Sequence, residues 1–174
     1  MRLPVSIALS LYTAFLGQTQ GDVERQGAVD ISGGSVSSTT PTRNNGTITQ
    51  PGVNSMIWLD MPFPFEYKPA NWCHAGYTHI SVWLMNHIPG AEDLDGSGKP
   101  LDAQHHFGDW TMSNYAQLPE ASDKAPNVLY LRRDGLGVPE GGNMYFSVVE
   151  HATGCPPRNS PTQYGITSNQ VYVH

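Results

Sequence analysis

Imidazoles and carboxylates crowd the stretch Asp102-Ala103-Gln104-His105-His106-Phe107-Gly108-Asp109, and side chains of these two kinds held close together can bind zinc or copper. His105, His106 and Asp109 are the candidate metal set, with His74, His79 and His151 able to join from elsewhere. His74 and His151 each lie close in sequence to a cysteine, Cys73 and Cys155, so a bridge between the cysteines would bring those two regions together. Neighbouring residues on a strand point to opposite faces, so His105 and His106 can serve one metal only if a bulge or loop intervenes. The alternative is ordinary surface or hydrogen-bonded histidines.

Other chemistry is thinner. Asp93-Leu94-Asp95-Gly96-Ser97-Gly98 resembles the start of an EF-hand loop, but the twelfth position is Gln104 and neither flank is helical, so a plain turn is expected. There is no G-x-S-x-G element and no phosphate-binding glycine loop. The first histidine is His74, far from any mature N-terminus that could present a copper-binding histidine. Paired carboxylates for glycoside hydrolysis can be drawn in many combinations, which makes them uninformative. No catalytic residue is assigned and no cofactor is expected, a bound metal excepted. Trp72, Tyr77, Trp83, Trp110 and Tyr115 are candidates to stack on sugar rings, and Trp83 leads because strand alternation sets it opposite Ile80, Val82 and Leu84.

Short strands must position these groups. The chain has 18 glycines and 14 prolines and few runs suited to long helices, so an all-β fold is expected, a single Ig-like or fibronectin-like β-sandwich. Phe63, Phe65 and Tyr67 share one strand face, with Pro64 placing that strand at a sheet edge. His79–Leu84 is the clearest strand. Phe107–Met112, Asn127–Arg132, Met144–Glu150 and Gln163–Val173 follow, with a turn at Gly137–Gly142 and a polar loop over Pro89–Pro100.

The expected order is a signal peptide over residues 1–20, a disordered Gly/Ser/Thr-rich segment over 21–47 and the β-sandwich over 48–174. Arg2 precedes the apolar run Leu3–Leu16, too short to span a bilayer, and small residues from Gly17 to Gly21 suit cleavage. No later segment is apolar enough to anchor the chain. An oxidising route with two cysteines implies a Cys73–Cys155 disulfide. Asn45-Gly46-Thr47 is an N-glycosylation sequon. Without Arg2 the balance is 8 Lys and Arg against 15 Asp and Glu, and Arg132-Arg133 is the one basic pair, which excludes a nucleic-acid surface.

Ile48-Thr49-Gln50-Pro51, Met56-Ile57-Trp58-Leu59 leading into Phe63–Tyr67, Ile80–Leu84, Val138–Val149 and Tyr164–Ser168 follow one another as in the fungal Kre9/Knh1-like, Ser/Thr-rich GPI-anchored family, which the chain resembles from Ile48 to Val173. It departs from that pattern in lacking a Ser/Thr-rich C-terminal stalk and in carrying a polar insert around Glu92–His106. The resemblance implies a role in or near the fungal cell wall and supplies no catalytic residues. The expected function is that of a secreted, non-enzymatic module that binds wall glycan or an extracellular protein; the alternative is a copper- or zinc-dependent secreted enzyme or metal-binding protein.

Overall fold

The structure is a computed structural model, which describes residues 40–41, 45–134, 141–153, 155 and 162–174. The expected signal peptide, most of the segment expected to be disordered, and the turn over Gly137–Gly142 up to residue 140 lie outside the described residues.

The fold is all-β. Among the described residues there are ten strands: β1 (Thr40–Pro41), β2 (Thr47–Gln50), β3 (Ser55–Ile57), β4 (Pro62–Pro64), β5 (Glu66–Lys68), β6 (Tyr77–Met85), β7 (His105–Ser113), β8 (Val128–Tyr130), β9 (Gly142–Ala152) and β10 (Gln163–Val173). The principal sheet runs β1-β10-β9-β6-β7, with β3 pairing β10 in parallel. Backbone pairing starts earlier than the sequence suggests: β1 pairs with β10 at Gln163 and Tyr164, and β2 already begins at Thr47.

Two ribbons, β2 with β5 and β4 with β8, supply the opposing side of the main core. Alternation along β6 sends Ile80, Val82 and Leu84 into that core with Phe146 and Val148 of β9 and Val171 and Val173 of β10, while the ribbons contribute Ile48, Phe63, Tyr67 and Leu129. Phe63, Phe65 and Tyr67 are all buried, as their shared face requires. The prolines that bound β4 lack a ladder donor, which suits a three-residue strand with a single partner.

The other face of the sheet is divided. Towards one end Trp83, Met85, Val149 and Tyr164 form a second apolar cluster, capped by Leu94 from the loop between β6 and β7. That loop contains a 3-10 turn at Ala91–Asp93, and Asp95 organises the rest: its Oδ1 accepts from Ser97 N, Ser97 Oγ and Lys99 N at 2.8, 2.7 and 2.9 Å. These bonds, the Ser97 hydroxyl first, hold the Asp95 carboxyl below its usual range. The Asp93–Gly98 segment is thus a self-capped turn. Towards the other end the face stays polar and open.

Cys73 and Cys155 are joined, with Cα atoms 4.9 Å apart, within the span of an ordinary disulfide. The bridge ties the loop ahead of β6 to the chain beyond β9. No helix among the described residues is long and apolar enough to cross a membrane.

Candidate functional site

Register builds the polar end of the sheet. His79 on β6 lies directly between His151 on β9 and Thr111 on β7, and in the next row Ser81 lies between Val149 and Asp109. All six side chains therefore share one face. His79 and Asp109 are exposed, His151 is half-buried, and Ser81 and Thr111 are buried.

A bulge controls who joins this face. Val82 pairs with Gly108 and Trp83 with His106, which leaves Phe107 as the extra residue on β7. Without it, positions 106 and 109 would point to opposite faces. With it, His106 Nε2 lies 3.1 Å from Asp109 Oδ1. Gly108 has φ +153° and lies so close to Trp110 that an added Cβ would meet the indole at 2.7 Å, so the bulge needs glycine.

Hydrogen bonds fix the inner wall. Thr111 Oγ1 donates to Asp123 Oδ2 at 2.6 Å and lies 2.9 Å from His79 Nδ1. Ser81 Oγ lies 3.1 Å from His151 Nε2. The Thr111 hydroxyl holds the Asp123 carboxyl below the usual carboxylate range, and burial holds His151 below the usual imidazole range, with Asp109 opposing.

These groups surround a cavity of about 190 Å³ lined by His79, Asp109, Asp123 and His151. It continues past His79 and Asp123 into a shallower basin bounded by Tyr77 and Ser122. On its other side, His79 and His151 also line a recess with Trp72, Cys73 and Glu150. Glu150 is a carboxylate 1% exposed, and its Oε1 accepts from Tyr67 Oη at 2.6 Å and Ala70 N at 2.8 Å. Burial first, and the neighbouring carboxylate second, push the Tyr67 hydroxyl far above its usual range, which keeps it a donor.

The candidate residues from the sequence are distributed as follows. His105 and His106 face opposite sides: His105 packs edge-on against Phe107, whereas His106 lies on Trp83. The set His105, His106 and Asp109 therefore does not converge, and no cluster of three or more His, Cys, Asp or Glu suited to a metal occurs among the described residues. His74 is exposed on the loop ahead of β6, whereas His79, His151 and Asp109 do meet. Trp83 is 7% exposed and its ring carries His106 at a centroid distance of 3.9 Å and an interplanar angle of 17°, so its face is closed to a sugar. Asn45 is exposed, just before β2.

Two features escaped the sequence. Asp123 sits in an aperiodic loop and gives no pattern to read. Trp58, outside the expected aromatic candidates, is 52% exposed with its ring tilted against His174; its place just after β3, at the sheet margin, was the available clue.

No family model, curated protein or solved structure matches the chain.

Proposed function

We propose that this is a secreted, glycan-binding module whose binding surface is the polar cleft over β6, β7 and β9. The carrying observation is the convergence of His79, His151, Asp109 and Asp123 on one concave wall, with the exposed ring of Tyr77 at its rim. Sugars present hydroxyl groups around an apolar ring face, and a wall of acceptors and imidazoles beside an aromatic edge complements both.

Supporting the extracellular setting are the leader-like opening residues, the sequon at Asn45 and the disulfide, which belongs to oxidising compartments. The resemblance to Kre9/Knh1-like domains favours the fungal wall as that setting. The two-sided core is consistent with reading the domain as an Ig-like or fibronectin-like sandwich.

The test is retention of the secreted protein on insoluble wall glucan and chitin, with and without chelator. Retention that ignores chelator and falls several-fold in Tyr77→Ala and His79→Ala, as loss of a ring contact worth roughly 0.5–1.5 kcal/mol would give, supports the reading. No retention on any polymer overturns it, and retention abolished by chelator would return the protein to the metal-dependent alternative.

A further inference from the structure

We infer that the glycan selected by this cleft carries protonated amines, as a glucosamine polymer does. The inference rests on the glycan reading above and names the ligand class.

Thr111 has one hydroxyl proton, and that proton is given to Asp123 Oδ2 at 2.6 Å. The Thr111 oxygen can then only accept, so the close approach of His79 Nδ1 at 2.9 Å requires that nitrogen to be the donor. A neutral imidazole with its proton on Nδ1 carries a lone pair on Nε2. Whenever the ring is neutral, His79 therefore presents an acceptor, and no donor, to the cleft.

The rest of the wall has the same sense. Asp109 and Asp123 bring two carboxylates to the same cavity, and no Lys or Arg is among its described lining residues. The cation nearest in sequence, Lys124, is spent on Glu120 at 2.6 Å. His151, half-buried against Ser81, is neutral near pH 7 and does not offset the carboxylates. A wall built of acceptors with two negative charges is complemented by a ligand that supplies donors and positive charge together. An ammonium group offers three donors and no acceptor. A neutral glycan would satisfy the acceptors but bring no positive charge to Asp123, or to Asp109 beyond its contact with His106 at 3.1 Å.

The experiment measures binding of the intact secreted protein to a fully deacetylated chito-oligosaccharide, its N-acetylated counterpart and a β-glucan oligomer of equal length. The deacetylated oligomer is expected to bind at least about tenfold more tightly than either, because each charge-assisted hydrogen bond lost is worth about 1.5 kcal/mol or more. Asp109→Asn and Asp123→Asn should each cost about tenfold, and added salt should weaken binding. Asp102→Asn, which removes the same charge from an exposed loop outside the cleft, should leave it unchanged. An equal loss in Asp102→Asn would mean general attraction of a polycation to an acidic protein, and would overturn the inference. Equal binding of the three oligomers would overturn it while leaving the glycan reading intact; binding of none would remove that reading too. Acetylating the ligand alters nothing in the protein, so the comparison holds even if a variant fails to fold.

Discussion

His106 lies flat on Trp83, with the two rings 3.9 Å apart and within 17° of parallel, so an imidazole occupies the position a ligand would need to use that indole. Trp83 is accordingly a packing residue, wedged among Met85, Leu94, Val149 and Tyr164. Its Nε1–H is buried without a hydrogen-bond partner among the described residues. Trp83→Ala should therefore cost about 3–5 kcal/mol of folding stability. Trp83→Phe keeps most of the packing and removes the unpaired donor, so it should cost less than about 1.5 kcal/mol. Denaturant unfolding of both variants checks this, and a Trp83→Phe variant as unstable as Trp83→Ala would contradict it.

Tyr67 and Glu150 form the second relationship with a measurable consequence. Removing the Tyr67 hydroxyl leaves a carboxyl group that is 1% exposed with Ala70 N as the remaining donor to Oε1 among the described residues. Tyr67→Phe should cost about 1–3 kcal/mol, the usual penalty for stranding a buried polar group. Adding Glu150→Gln should recover part of that loss, because a neutral amide is cheaper to strand than a charge. A double-mutant cycle by urea unfolding measures the coupling; additive losses would show that the bond carries no stability.

Legibility from sequence followed the reach of the physical signal. Period-two alternation separated Trp83 from Ile80, Val82 and Leu84 correctly, because side-chain direction on a strand is local. Exposure on that second face was not legible, since it depends on Leu94 and His106 arriving from the polar insert. The pairing of His79 with His151 belongs to the β6–β9 register, which joins segments far apart in the chain. The bulge was readable only as a condition on His105 and His106. It falls at Phe107 and Gly108, where it brings His106 onto the face of Asp109 and leaves His105 on the other side.

The histidines should make the fold acid-sensitive. Burial, with a smaller push from His79 against an opposing pull from Asp109, holds His151 below the ordinary imidazole value; burial, then His106, does the same to His105. A base whose folded value is depressed binds fewer protons in the folded state, so stability is full above the unfolded value of about 6.5, falls as pH drops through it, and levels off once the folded value is passed. Asp95 and Asp123, also depressed, lose their contribution only as pH falls below about 4. Between about pH 6.5 and pH 5, unfolding free energy should decline with pH, and His151→Gln with His105→Gln should flatten the decline. A slope unchanged in the double variant would assign it elsewhere.

Gly108 should matter to the seat of His106 without touching ligand. It holds the bulge at φ +153° against the Trp110 indole, where a methyl group has no room. Gly108→Ala should cost about 1–3 kcal/mol of stability through strain, but its more diagnostic effect is geometric. If the bulge is lost, His106 turns to the face opposite Asp109 and leaves the Trp83 ring, while Asp109, paired with Ser81 and in step with Thr111, keeps its place in the cleft wall. Binding of the deacetylated oligomer should then stay near that of the unaltered protein, and Asp109→Asn should cost as much in the Gly108→Ala background as alone. A loss in Gly108→Ala matching that of Asp109→Asn, with nothing further lost in the double variant, would mean that the bulge does position the carboxylate.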